Sequence, residues 1–250
     1  MTRFREMMKG RPLRRPFSLV AAMVCTGFTL CMPAMALAET RGYIVTSFAT
    51  IRVEAPVHIV LKTGEGTTAR GEGDGDLLER VNLSVSGRVL TVRFDGGPDI
   101  GFDPRRNIEA PVITLSTEQI KRAQILGGAT LRIDKLKGLE AELSLSGNGE
   151  MTVDDADIER LSLYVGGGGR MTLAGKARDV RASANGPGAI EAEKLVARNA
   201  TIANDGVGFV HISVDGPAKV VATGSGDTVV GGKAICSVTR RGTGSVTCGE

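Results

Sequence analysis

The chain has 250 residues, no Trp, only 4% aromatic residues, and 31 basic against 28 acidic side chains. Six of the basic residues (Arg3, Arg5, Lys9, Arg11, Arg14 and Arg15) and one acid (Glu6) precede residue 39, leaving 25 against 27, a net of −2, for the remaining 212 residues. That balance removes the basic footprint of a nucleic-acid-binding protein. The shortage of rings argues against a bulky globular core and for a narrow one of Val, Ile, Leu and Ala.

Residues 1–38 read as a signal peptide. The basic start is followed by an apolar run from Phe17 to about Leu30, and the segment ends at Ala36-Leu37-Ala38, an A-x-A cleavage pattern. The run is short for a membrane span, so no transmembrane segment is expected after cleavage. Arg14-Arg15-Pro16-Phe17 matches a twin-arginine signal in part, and general secretion is the expected route. Cys31 directly follows Leu30, which does not fit a lipoprotein signal. Residues 39–250 are then one domain, exported to the periplasm, cell surface or medium. Within it, 39–107 would hold irregular strands and hairpins, and 108–250 a regular array.

Phe48, Ile51 and Val53, then Val57, Ile59 and Leu61, alternate with polar residues at a period of two, the mark of strands, with Pro56 at a break between them. Thr63-Gly64-Glu65-Gly66 ends the second strand, and residues 67–76 read as turns around Gly71, Gly73 and Gly75. Val81, Leu83 and Val85 and then Val89, Leu90, Val92 and Phe94 form a hairpin about Ser86-Gly87. Asp95 to Asn107, with its glycines and prolines, is the longest loop. Val112, Ile113 and Leu115 resume the strand pattern, and Thr117 to Arg122 reads as a single helical turn.

From Gly127 onward a Gly-x-small motif returns: Gly127-Gly128-Ala129, Gly147-Asn148-Gly149, Gly167-Gly168-Gly169, Gly186-Pro187-Gly188, Gly206-Val207-Gly208, Gly224-Ser225-Gly226 and Gly242-Thr243-Gly244. The intervals are 20, 20, 19, 20, 18 and 18 residues, the period of a solenoid. Counted from the first glycine, apolar residues recur four after (Leu131, Met151, Met171, Ile190, Val210), six after (Ile133, Val153, Leu173, Ala192, Ile212), six before (Ala141, Leu161, Val180, Ala200, Ala218) and four before (Leu143, Leu163, Ala182, Ile202, Val220). The column two before runs Leu145, Val165, Ala184, Asn204, Ala222, Arg240. Each repeat is therefore expected to be two strands joined at a glycine corner, with even offsets facing inward. Parallel stacking of such coils makes an all-β, single-stranded parallel β-helix, and the crossover rule favours the right-handed form. Asn204 should bond backbone at a corner or lie near the core edge, and Arg240 belongs to a capping coil.

The segments Phe48-Ala49-Thr50-Ile51-Arg52-Val53, Val57-His58-Ile59-Val60-Leu61 and Leu90-Thr91-Val92, the repeated LSLSGNGEMTV and VATGSGDTVV, and the final RRGTGSV carry a resemblance. Over nearly the whole mature chain they are similar to the bacterial family called putative auto-transporter adhesin, head GIN domain. The resemblance implies an exported β-helical protein without established catalytic residues.

Candidate chemistry is sparse. Asp134 and Asp154 share a column seven after the corner, followed by Asp155 and Asp157; they read either as oxygen ligands for Ca²⁺ between coils or as a solvated turn assisted by Lys135. His58 and His211 are outward strand positions without a Ser or Cys partner. Arg132, Arg170 and the acids do not converge by column arithmetic, so no catalytic, cofactor or metal residues are assigned. Cys236 and Cys248 flank Gly242 symmetrically in inward columns of the last coil; an even pair in an exported chain points to a disulfide, which needs Cα atoms within about 4.4–6.8 Å, against two buried free thiols. The expected function is a non-catalytic interaction module of the cell envelope or surface, engaging a glycan, an envelope protein or a copy of itself. The alternatives are a carbohydrate-active enzyme (lyase or hydrolase) working in a groove of the helix, and a purely structural envelope component.

Overall fold

A computed structural model describes residues 39–95 and 109–249. The expected signal peptide, and all but Asp95 of the expected long loop, lie outside the described residues. The described chain is a β-solenoid of about 6 turns whose strands stack in parallel.

The regular part begins with β8 (Arg122–Leu126) and continues through β9 (Thr130–Ser146), β10 (Glu150–Gly166), β11 (Arg170–Asn185) and β12 (Ala189–Asn204). It ends with the shorter β13 (Phe209–Val214), β14 (Pro217–Ala222), β15 (Thr228–Gly231), β16 (Ile235–Arg240) and β17 (Val246–Cys248). The sequence columns are observed pairings. Leu131 pairs with Met151, Met151 with Met171, Met171 with Ile190, Ile190 with Val210, Val210 with Thr228 and Thr228 with Val246. On the other side, Ala141, Leu161, Val180, Ala200, Ala218 and Cys236 stack in the same way.

Each 20-residue coil differs from the two-strand expectation in having three sides. In β10, Met151 and Val153 point inward, Asp154 and Asp155 both point out, Ala156 and Ile158 point inward, Glu159 and Arg160 both point out, and Leu161, Leu163 and Val165 complete the core. At each bend the ladder skips residues, Asp154 and Asp155 towards β11 and Glu159 towards both neighbouring strands, and then resumes, so one 17-residue strand turns two corners. The short middle side carries a core column absent from the sequence reading: Gly138, Ile158, Ala177, Ala197 and Val214 stack in register. At the first 18-residue interval the middle side is cut to Ser213 and Val214, and β13 leads through Asp215-Gly216 straight into β14.

Between the long strands the glycines stack backbone against backbone. Gly147 and Gly167 have φ of +125° and +107°, and a Cβ on Gly167 would lie 2.7 Å from the Gly147 carbonyl oxygen. Asn204, fully buried, donates from Nδ2 to the carbonyls of Gly208 (3.2 Å) and Asp227 (3.3 Å) and to the Thr228 hydroxyl (3.2 Å). It therefore bonds backbone, inside the core and not at its edge.

The first coils are not stacked in chain order. The coil of β2 (Thr50–Val53) and β3 (His58–Thr63) lies between that of β6 (Val89–Phe94) and β7 (Val112–Thr117) and that of β8 and β9. Antiparallel strands cover this end: β4 (Thr68–Gly73) on β7, β5 (Val81–Ser86) on β6, and β1 (Glu39–Gly42) on β4. The β5–β6 hairpin turns at Gly87 and Arg88, with φ of +55° and +66°, the two left-handed residues a type I′ turn requires.

Two expectations are corrected here. Residues 67–76 are not all turn: Gly71 lies inside β4, where a Cβ would meet Leu78 at 2.7 Å and Tyr43 at 3.0 Å, so it is chosen for close packing. The helical turn lies at Gly75–Arg80 (α1), not at 117–122. Asp74 caps it by accepting from the Leu77 amide at 3.2 Å, and its six residues are too few to show a helical period. Residues 118–121 are irregular, anchored by buried Ile120 and by the Thr117 hydroxyl, which donates to the Phe48 carbonyl at 2.7 Å.

Candidate functional site

With the core filled by aliphatic side chains, what the molecule can do is written on its outside. Residues one coil apart are close neighbours there, and charged pairs bridge the coils: Arg122 to Glu142 (2.7 Å), Arg132 to Asp154 (2.8 Å), Arg170 to Glu191 (3.2 Å), Lys176 to Asp157 (3.3 Å), Arg178 to Glu159 (3.3 Å), and Arg160 to Glu140. Each is solvent-exposed and individually worth little, roughly 0–1 kcal/mol, but together they fix side-chain orientation along the stack.

One recessed part of this surface is the corner between the middle side and the strand that follows it. Depressions of about 530, 340 and 730 Å³ follow one another there, from Thr50 and Lys121 at one end to Asp215-Gly216-Pro217 at the other. Arg160, Ser162 and Arg181 line both of the first two, and Asn199 joins the second to the third. The floor is a column, Glu140, Arg160, Asp179 and Asn199, in register across four coils. Asn199 Nδ2 donates to Asp179 Oδ1 at 2.7 Å. The far end is a ledge, formed where the middle side ends with Val196 and the coil shortens before Pro217. Sequence reading missed this groove because it tracked inward columns; the drop from 20- to 18-residue intervals was the available signal.

Of the four acids singled out in the sequence, Asp155 is exposed and the other three are engaged elsewhere. Asp134 Oδ1 accepts from the Thr63 amide (2.9 Å) and hydroxyl (3.3 Å) and the Lys135 amide (2.6 Å), while Asp154 and Asp157 pair with Arg132 and Lys176. Among the described residues no group of three or more His, Cys, Asp or Glu is placed to hold a metal ion. His58 is exposed; His211 Nδ1 lies 3.3 Å from Glu193, and its ring meets Phe209 edge-on at 5.9 Å. Asp227 accepts from the Ser245 hydroxyl (2.7 Å) and amide (2.9 Å), which holds its carboxyl below the usual range.

At the last coil Cys236 and Cys248 form a disulfide, with Cα atoms 6.3 Å apart. It ties the two sides of the coil whose remaining inward column is open to solvent: Val238 is 46% exposed and Arg240 points out.

The model of the family described as putative auto-transporter adhesin, head GIN domain, matches residues 47–234. The chain belongs to this family. Folds of the same kind are found in crystal structures. A putative adhesin from Bacteroides fragilis is 20% identical, aligned over 85% of this chain and 97% of that one with a TM-score of 0.76. A putative adhesin from Parabacteroides merdae is 20% identical over 85% and 96%, with a TM-score of 0.60. A putative lipid binding protein from Parabacteroides distasonis is 16% identical over 85% and 97%, with a TM-score of 0.62. At these identities the likeness is one of fold. No curated protein matches the chain. Among the described residues of this head GIN protein, no helix is long and apolar enough to cross a membrane.

Proposed function

We propose that this head GIN domain protein is a non-catalytic, exported interaction module that presents the outer faces of its solenoid to the cell envelope or surface. The Cys236–Cys248 disulfide supports export, since such bonds persist in oxidising compartments. The adhesin and lipid-binding names on its structural neighbours agree with a surface role. The observation that carries the reading is the state of the groove carboxylates. Glu140, Glu142, Asp157 and Glu159 are each bound to a cation on an adjoining coil, and Asp179 accepts from Asn199. A glycosidase needs two carboxyl groups facing the sugar, one as acid and one as base or nucleophile, whereas these five are engaged with neighbouring coils.

The groove does gather polar side chains in one cleft, which is the observation that favours an enzyme as the second reading. Purified protein incubated with envelope polysaccharide separates the two. Retention on the polysaccharide with no new reducing ends or unsaturated products supports a binding module. Release of such products supports the enzyme, and failure to be retained on any envelope fraction overturns the interaction reading. Export is tested by sequencing the secreted protein's N-terminus, expected at Glu39; a retained residue 1–38 segment would refute cleavage there.

A further inference from the structure

We propose that the groove along β8 to β14 binds an extended acidic polysaccharide with its chain parallel to the solenoid axis, each sugar facing one coil. The inference rests on the interaction-module reading and names its ligand class and site. Spacing is the first argument. The floor residues Glu140, Arg160, Asp179 and Asn199 recur once per coil, an interval of about 4.8 Å. Pyranose units in an extended 1,4-linked chain advance by close to one coil per sugar. An extended peptide returns its same-side groups only every two residues, roughly 6.7 Å, and misses the coil spacing by about 2 Å at the first step. The floor offers donors and acceptors in alternation, which suits hydroxyl groups that both donate and accept.

Charge is the second argument. Arg122, Arg160, Lys176 and Arg178 have carboxylate partners. Lys121, Arg181 and Arg198 line the same groove, are exposed, and have no carboxylate within salt-bridge distance among the described residues. Arg181 and Arg198 stand on opposite sides of the Asp179–Asn199 floor, on neighbouring coils. Lys121, beside Arg122, is three coils back from Arg181, about 14 Å. Asp179 and Asp215 in the same lining have no cation partner among the described residues, so the unpaired cations exceed them by one, and a chain carrying carboxylates would meet Lys121, Arg181 and Arg198 while its hydroxyls lie on the floor.

The test is titration of the purified protein with oligogalacturonates from dimer to hexamer, with neutral dextran oligomers and polyglutamate as comparison arms. The variants are Arg181→Ala with Arg198→Ala, and Arg132→Ala on the outer face of a different side as a control, each checked for an unchanged circular dichroism spectrum. Affinity should rise with oligogalacturonate length, fall with added salt, and drop by roughly 10-fold or more in the double variant but not in the control. Polyglutamate bound as tightly as the hexamer, equal affinity for every length, or a double variant indistinguishable from the parent each overturns the proposal. Retention on envelope polysaccharide without oligogalacturonate binding overturns the groove assignment and leaves the interaction module standing. Absence of both removes the two together.

Discussion

Four glycines separate the two ways in which this solenoid depends on glycine. Gly128 has neither a left-handed φ nor an atom within 4 Å of a would-be Cβ, while Gly127 has φ of +116° and also nothing within 4 Å. Gly169 has no left-handed φ, but a Cβ would lie 2.6 Å from the Gly149 carbonyl oxygen and 2.7 Å from Leu145; Gly167 combines φ of +107° with a contact of 2.7 Å to the Gly147 carbonyl oxygen. Substitution of each by Ala therefore isolates backbone strain, steric exclusion, both, or neither. Gly128→Ala should be neutral or stabilising by about 0.4–1 kcal/mol, through the unfolded chain. Gly127→Ala should cost about 1–3 kcal/mol of strain, and Gly169→Ala about 1–3 kcal/mol of overpacking because the obstructing atoms are backbone and a filled core. Gly167→Ala should approach the sum, roughly 2–6 kcal/mol, and at about 2–4 °C per kcal/mol this is a large fall in Tm. Urea unfolding followed by circular dichroism measures all four, provided the slopes agree, since a solenoid whose coils part company would broaden the transition. Equal costs for Gly128→Ala and Gly169→Ala would refute the steric argument, and a Gly127→Ala as costly as Gly167→Ala would refute the separation of strain from stacking.

Three further outcomes are expected. Asn204→Leu should destabilise by roughly 1–3 kcal/mol or more, because it removes the partner of the buried Thr228 hydroxyl, the Gly208 carbonyl and the Gly206 amide; adding Thr228→Val should recover part of the loss, and a strictly additive double mutant would count against the shared network. Reduction of Cys236–Cys248, or Cys248→Ser, should cost about 3 kcal/mol for a loop of this length, with faster amide exchange confined to residues 235–248; uniform exchange changes would refute a local clamp. Glu54, bonded first by Arg93 (2.6 Å) and also by Arg52, has its carboxyl held below the ordinary 4.5. A depressed folded value stabilises above pH 4.5 and is lost as pH falls through it, so Glu54→Gln should flatten the acid side of the stability–pH curve and leave its shape above pH 6 (~) unchanged; an unchanged acid limb would refute the linkage.

The glycine intervals made the register legible because glycine stacks on glycine from coil to coil, and Leu131 over Met151 or Ala200 under Ala218 then follow by counting. The same counting was blind to the middle side. Asp154-Asp155 and Glu159-Arg160 each place two polar residues outward in succession, which in a period-two reading ends a strand, whereas here it bends one. The order of the first coils was hidden for a different reason: β2 lies between β6 and β8 through pairings separated by tens of residues, and no local pattern distinguishes it from neighbours with equivalent alternation. The groove inherits both difficulties. Its floor residues Arg160, Asp179 and Asn199 lie 19 and 20 positions apart in sequence, directly beside a bend that the sequence does not announce. Its ledge exists because two residues are deleted per coil between Gly206 and Gly242. Across the shortening Ala192 pairs with Ile212 but Val196 with Ser213, so the residues that disappear belong to the middle side. The loss therefore falls on the middle side, and a recess opens beside the last full coil.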